Sequence, residues 1–156
     1  MKLTLWLIIM MVTAQLCSAE DSDNKTLAGI TAVKVLIEEL SQGAAALGLT
    51  KESLRTDVEL KLRLATLQVK EDAPTWVYVN VSVAVSPLTN DRAADILVEI
   101  LQPVRLVRDS TIGPFHAMTW SKGTVIARPS AQMIRTVVKD AVDTFLNAWL
   151  SVNPKK

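Results

Sequence analysis

The clearest pattern in the chain is a strict alternation of valines with more polar residues over Trp76–Val85. The segment reads WVYVNVSVAV, so its five valines occupy every second position. Successive side chains of a β-strand point to opposite faces, and β-branched residues suit that geometry. The pattern therefore predicts a central strand with a dry valine face and a wetter face that carries Trp76, Tyr78, Asn80 and Ser82.

Shorter alternating runs predict two more strands on the N-terminal side. Residues 30–40 give the first strand, in which aliphatic and charged residues alternate. Residues 67–70 give a short strand, and the acidic and proline-containing segment 71–74 has the composition of a turn. A hairpin between this short strand and Trp76–Val85 is therefore predicted.

On the C-terminal side, residues 95–107 and Phe115–Ala127 give two further strands. The first contains Pro103, which cannot donate a ladder hydrogen bond, so a bulge or a sheet edge is expected there. The second is expected to bend near Gly123. Together these runs predict a sheet of four or five strands.

Two helices are predicted from apolar residues that recur every three or four positions. Thr50 and Ser130 are the expected N-caps, because their hydroxyl groups can accept from the first free backbone N–H groups. Asn153-Pro154 would end the second helix. The apolar stripe of the first helix consists of Leu54, Val58, Leu62 and Ala65. That of the second consists of Ile134, Val137, Val138, Ala141, Phe145, Ala148, Trp149 and Val152.

Charged residues on the first helix indicate a solvated outer side. Asp57 precedes Lys61, and Glu59 precedes Arg63, by four residues, the spacing of weak intrahelical ion pairs. Each helix has one apolar stripe, and the valine face is the surface available to bury both. The sequence therefore predicts an α+β fold, β-α-β-β-β-β-α, with a mainly antiparallel sheet and both helices on one face.

The first residues resemble a cleaved export signal. Lys2 is followed by a mostly apolar run, and Cys17-Ser18-Ala19 supplies small residues at a cleavage site. We predict a signal peptide over 1–19, a flexible lead-in over 20–29 and one domain over 30–154, in the periplasm or secreted. The alternative, a lipid-anchored Cys17, is less favoured because Leu16 precedes that cysteine.

Composition excludes several classes of function. The chain has 156 residues and a formal net charge of +1, so a single domain is expected and nothing attracts nucleic acid or an anionic membrane. No zinc spacing, phosphate-binding loop or nucleophile motif occurs. His116 is the only histidine and Cys17 the only cysteine. The sequence predicts a protein that is not an enzyme and needs no cofactor or metal.

Aromatic and basic residues are the candidates for binding a partner. Trp76, Tyr78 and Asn80 would share the wetter face with Leu36 or Leu97, and Trp120 lies on another predicted strand. If uncovered, such a face resembles surfaces that contact proteins or sugars; a covering loop is the open alternative.

Arginines near the predicted strand ends form a second candidate group. Arg105, Arg108 and Arg128 would gather to hold an anion or, as we favour, deter pairing of sheet edges.

Two segments carry a resemblance to known proteins. GLT at 48–50 followed by LRTDVELKLR at 54–63, and VDTFLNAWL at 142–150, resemble a pattern in an uncharacterised family of small exported bacterial proteins. The element order is loosely similar to the lipopolysaccharide-assembly lipoprotein and the N-terminal domain of the Tol-system propeller protein. The resemblance implies a binding or scaffold role in the envelope, without stable membrane insertion.

These observations give a first hypothesis and an alternative. The first is an exported interaction module that binds a protein or envelope component through an open sheet face or edge. The alternative is a carrier that holds a lipid or a sugar. A deep apolar pocket would favour the carrier, and a flat aromatic face or a bare edge would favour the interaction module.

Overall fold

The computed structural model describes residues 24–154, which form a five-stranded sheet and three helices. The strands are β1 Ala32–Ile37, β2 Gln68–Val69, β3 Trp76–Val85, β4 Arg92–Val104 and β5 Phe115–Ala127. The helices are α1 Gln42–Ala45, α2 Lys51–Leu64 and α3 Ala131–Val152. The predicted α+β class is confirmed, with the short α1 in addition. The predicted signal peptide, including Cys17, lies outside the described residues.

The sheet is mixed, with strand order β2-β1-β3-β4-β5. β3, β4 and β5 are antiparallel, whereas β1 is parallel to both β2 and β3. The predicted hairpin between the short strand and β3 is therefore wrong. Helix α2 carries the chain back to the end where β1 starts, so β2 enters parallel to β1 and bonds its outer edge. Lys70 N donates to Val33 O at 2.9 Å there.

The valine face of β3 is dry, as predicted. Val77, Val79, Val81 and Val83 are at most 6% exposed, whereas Val85, at the far end of the strand, is 42% exposed. The buried face of the sheet and both long helices form one hydrophobic cluster. Both helix stripes are therefore buried against the same side of the sheet.

The strand ends explain how the sheet accommodates Pro103. β3 begins opposite Leu101, so Pro103 in β4 pairs only with His116 of β5. The missing N–H of Pro103 faces the position beyond the start of β3, where the ladder between β3 and β4 has ended. The irregularity in the ladder is a register shift after Ile100 that makes Thr119 of β5 the extra residue. The bend expected near Gly123 stays a prediction.

The N-caps of the long helices are those predicted. Thr50 Oγ1 accepts from Ser53 N at 3.1 Å, and Ser130 Oγ accepts from Met133 N at 3.2 Å. On α3 the described residues that are buried include Ile134, Phe145 and Trp149, which belong to the predicted stripe. The stripe pattern therefore located both helices correctly.

Asp57 and Lys61 of α2 contact α3 instead of pairing with each other. Asp57 accepts two hydrogen bonds from Arg135, at 2.7 and 2.9 Å, and Lys61 forms an ion pair with Asp143. The predicted Asp57–Lys61 pair is thus replaced by two contacts between helices. The predicted Glu59–Arg63 pair is present at 2.9 Å.

The domain includes part of the segment expected to be a flexible lead-in. Residues 24–29 form a helical turn in which Leu27 is fully buried. The side-chain amide of Asn153 bonds to both ends of this turn: Nδ2 donates to Leu27 O at 2.9 Å, and Oδ1 accepts from Gly29 N at 2.7 Å. Trp149 Nε1 donates to Ile30 O at 2.9 Å just beyond. The domain therefore begins no later than Asn24.

We predict that Phe145→Ala lowers the free energy of unfolding by about 3–5 kcal/mol, because it empties a fully buried position beneath the sheet. Urea unfolding followed by circular dichroism measures the loss. Leu64→Ala is the matched control: Leu64 is 72% exposed, and its removal should change stability by less than about 0.5 kcal/mol. Equal losses in the two variants would contradict the assignment of the core.

The contact between helices predicts a pH-dependent stability. Hydrogen bonds from Arg135 lower the pKa of the Asp57 carboxyl below its ordinary value. A lowered folded-state pKa stabilises the fold above the unfolded value of about 3.9, and that contribution is lost as pH falls through the folded pKa. Arg135→Gln should therefore unfold at a lower urea concentration than the wild-type chain at neutral pH. The difference between their urea midpoints should become smaller in acid, where Asp57 is protonated. Arg63→Gln, at an exposed pair, should show little deficit at either pH.

Candidate functional site

The side of the sheet opposite the helices carries no further layer of secondary structure in residues 24–154, and we call it the open face. Its side chains form rows across the strands, set by the register. One row contains Lys34, Trp76, Leu101 and Met118. The next contains Leu36, Tyr78, Glu99 and Ser121. Beyond it lie three more rows: Asn80, Leu97 and Gly123; Ser82, Asp95 and Val125; and Ala84, Ala93 and Ala127.

Trp76 is half-buried because a ring from β5 covers it. Its indole stacks on the His116 imidazole, with centroids 3.7 Å apart and planes 19° from parallel. His116 Nε2 donates to Pro74 O at 2.9 Å, since a carbonyl can only accept. The lone histidine therefore fixes the position of Trp76, and the two rings end the open face at the start of β3.

Tyr78 is held by a carboxylate at the end of β1. Its hydroxyl donates to Glu38 Oε2 at 2.7 Å. This hydrogen bond lowers the pKa of the Glu38 carboxyl, helped by the backbone N–H of Glu39, and raises the pKa of the Tyr78 phenol. Both pKa shifts show that the hydrogen bond favours a neutral Tyr78 phenol beside an ionised Glu38 carboxylate. Tyr78 is thereby oriented with its ring along the open face.

Asn80 and Leu97 are paired at the centre of the open face, and both are half-buried. Asp95 and Glu99 flank Leu97 on β4 and share this face. The centre therefore combines an amide, an aliphatic side chain and two carboxylates around Tyr78. Such a mixture is typical of a contact surface between proteins, with aromatic and aliphatic anchors among polar groups.

Two of the predicted site residues do not lie on the open face. Trp120 is in register with Ile100, on the helix side, and its ring lies 5.6 Å from that of Phe145. Arg105 follows β4 and donates to Ser110 O at 2.9 Å within the loop before β5. The structure thus brings together Trp76, Tyr78 and Asn80 and separates the other two from them.

The three arginines considered as an anion site are also apart. Arg105 and Arg108 follow the C-terminal end of β4, whereas Arg128 follows the C-terminal end of β5. Because β4 and β5 are antiparallel, their C-terminal ends lie at opposite ends of the sheet along the strand direction. Arg128 instead lies 3.7 Å from Asp91. A shared anion site is therefore not formed.

Sequence reasoning missed the most exposed apolar residues of the open face. Val125 is 72% exposed and Met118 is 55% exposed, while Leu101 is half-buried beside Trp76. The extra residue Thr119 puts Met118 on the open face while Trp120 points to the helices. Alternation alone would have placed both on one face, so only the register reveals the difference.

A groove lies where β5 meets α3, and we call it the edge groove. Its larger part has a volume of about 630 Å³. It is lined by Asn24, Met118, Thr119, Trp120, Ser121, Lys122, Thr144, Asn147, Ala148 and Ser151. The smaller part, about 170 Å³, is lined by Lys122, Thr124, Val137, Asp140, Ala141 and Thr144. Most of these side chains are small and polar.

The described residues contain no cluster of histidine, cysteine, aspartate or glutamate that could hold a metal ion. Over the same residues, no helix combines the length and the apolar character that crossing a membrane requires.

Comparison with known proteins adds similar structures at low identity. A PelC dodecamer structure from Paraburkholderia phytofirmans is 13% identical, with a TM-score of 0.41, and the match covers 78% of this chain and 87% of that one. A minor lipoprotein from Acinetobacter baumannii is 12% identical, with a TM-score of 0.38, covering 80% and 94%. No family model matches the chain, and no curated protein matches it. Membership of a family of small exported proteins stays a prediction.

We predict that Tyr78→Phe raises the pKa of Glu38 towards its ordinary value, because the phenol hydroxyl is the largest influence that lowers it. Carboxyl chemical shifts followed by NMR across the acid range measure this pKa. Asp109 is the internal control, since its own hydrogen bond from Thr111 lowers its pKa independently of Tyr78. An unchanged Glu38 pKa in the variant would show that Tyr78 does not hold that carboxylate.

Proposed function

We propose that this chain is an exported, non-enzymatic interaction module of the bacterial envelope that binds a protein through the open face. The observation that carries the proposal is the contrast between the two faces of one sheet. The helix side is dry along four consecutive inward positions of β3, while the open face exposes Met118 and Val125. Between these two residues lie Tyr78 and Leu97 among polar groups, and aromatic and aliphatic side chains among polar groups are typical of contact surfaces between proteins.

The chemistry of the open face favours a protein partner. Tyr78 and Trp76 supply large rings whose orientations are already fixed, by Glu38 and by His116. Prearranged aromatic side chains lose little conformational freedom on binding and are frequent among residues that dominate binding energy. The carboxylates of Asp95 and Glu99 would select basic or hydrogen-bond-donating groups on the partner.

The alternative function, a carrier of lipid or sugar, needs a concave site, and the edge groove, whose larger part has a volume of about 630 Å³, is one candidate. Asn24, Thr144, Asn147 and Ser151 supply polar groups to that groove. The hydroxyls of Thr144 and Ser151 already donate to Asp140 O and Ala148 O within α3. A lipid chain placed there would, however, cover the side-chain amides of Asn24 and Asn147 without pairing them, at a cost of about 1–3 kcal/mol for each buried group. The groove therefore supports the lipid carrier less well than the open face supports a protein contact.

A site-directed crosslinking experiment tests the proposal. We expect a photo-crosslinking residue at Leu97, in the centre of the open face, to capture a partner from envelope extract. The same residue at Leu60, which is 56% exposed on α2, is the matched control and should not capture that partner. Once the partner is purified, Tyr78→Ala combined with Asn80→Ala should weaken its binding about tenfold or more, equivalent to about 1.4 kcal/mol.

Calorimetry on the double variant separates a loss of binding from a loss of folding. If the melting temperature falls and the affinity of the folded variant does not, Tyr78 and Asn80 only support the core. Equal capture from positions 60 and 97, or unchanged affinity of a folded double variant, would contradict binding through the open face.

A further inference from the structure

The sheet has two edge strands, β2 of two residues and β5 of 13 residues, and no described strand lies beyond the outer side of β5. Antiparallel ladder bonds alternate along a strand, and the bond from Arg128 N to Arg92 O, 2.7 Å, sets their phase between β4 and β5. By that phase, the backbone N–H and C=O groups of Ser121, Gly123 and Val125 point away from β4. They form a row of hydrogen-bonding groups along the edge.

This edge has little of the protection that sheet edges usually carry. Natural edges are blunted by prolines, bulges, charges or a covering segment. Here the bulge at Thr119, whose carbonyl accepts from Thr26 Oγ1 at 3.1 Å, protects only the first part of β5. From Trp120 to Ala127 the strand contains no proline, and its only charged residue is Lys122.

We propose that a second copy of this chain pairs with this edge, β5 against β5, antiparallel about a two-fold axis at Gly123. In that register Ser121 lies opposite Val125 of the second copy, and Lys122 lies opposite its Thr124. The outward backbone groups then bond to their counterparts, and the two open faces join into one continuous surface. The inference goes beyond the proposed function, because it uses the edge of the sheet and not its open face.

Charge complementarity singles out a second copy as the occupant. Lys122, Thr124 and Asp140 line the same part of the edge groove. Neither Lys122 nor Asp140 has an ion pair with any residue in 24–154. The proposed register places Lys122 opposite Thr124 of the second copy and hence beside its Asp140. The two-fold axis repeats this contact, so each copy supplies one lysine and one aspartate.

Gly123 is an independent observation at the proposed axis. Its backbone does not adopt a positive φ, so a residue with a side chain could take its place. A Cβ added there would meet only Leu97 Cδ1, at an ordinary 3.6 Å. The single chain thus gives no reason for glycine at this position. Across a two-fold axis, two glycines face each other and leave space for Leu97 of each copy over the junction.

Sedimentation velocity of the purified chain over a range of concentrations tests the proposal. We expect a concentration-dependent dimer whose dissociation constant rises about tenfold or more in Lys122→Glu and in Asp140→Lys, because each variant brings like charges together across the interface. Mixing the two variants should restore a dimer. In the mixed dimer the residue at 122 of each copy faces a residue of opposite charge at 140 of the other. Lys70→Glu, an equal charge change on an exposed residue after β2, is the control and should leave the dimer unchanged.

Thermal unfolding of each variant checks that it remains folded. A chain that stays monomeric at every concentration overturns the proposal, as does a dimer that both variants leave intact. A failure of the mixed variants to associate more tightly than either alone overturns it too, because a contact within one chain would give that result. Tyr78→Ala with Asn80→Ala should leave the dimer intact, so the edge and the open face can fail separately.

Discussion

The structure depends on one constraint: two helices with a single apolar stripe each must bury both stripes against the valine face of β3. Val77, Val79 and Val81 are at most 2% exposed, and Phe145 of α3 is fully buried in the same cluster. Removing apolar area from water is the main favourable term in folding, worth roughly 25 cal/mol per Å². Since both helices lie on one side, the opposite side of the sheet is left as surface.

Polar contacts then fix how the helices sit in that layer. The bonds from Arg135 to Asp57, at 2.7 and 2.9 Å, connect α3 to α2. The buried indole of Trp149 bonds to Ile30 O, which ties the end of α3 to the segment that enters β1. A buried N–H without a partner would cost about 1–3 kcal/mol, so this bond also determines where the chain enters the sheet. The position of the open face follows from these contacts.

The open face and the edge of β5 are separate surfaces with different chemistry. The open face presents prearranged rings and an amide around Leu97, which suits contact between side chains. The edge presents backbone groups beside a row of small polar side chains, which suits addition of a strand. A paired edge would bring two open faces together, so that a partner could meet twice the area that one chain offers.

The sequence by itself determined the long helices, their caps at Thr50 and Ser130, the valine strand and the side of the sheet that the helices cover. These follow from local periodicity, which fixes the direction of each side chain relative to its neighbours in the chain. It also determined that Trp76, Tyr78 and Asn80 share a face. It could not determine strand neighbours, because pairing joins residues far apart in sequence, and so β2 was wrongly placed beside β3.

Only the tertiary structure decided the remaining features of the candidate site. The extra residue Thr119 reverses the alternation of β5, which sends Trp120 to the core and Met118 to the open face. Asp57 and Lys61 of α2 contact residues of α3 instead of each other, because packing brings Arg135 beside Asp57 and Asp143 beside Lys61. Local pattern fixes which way a side chain points, whereas its neighbours are set by register and packing across the whole domain.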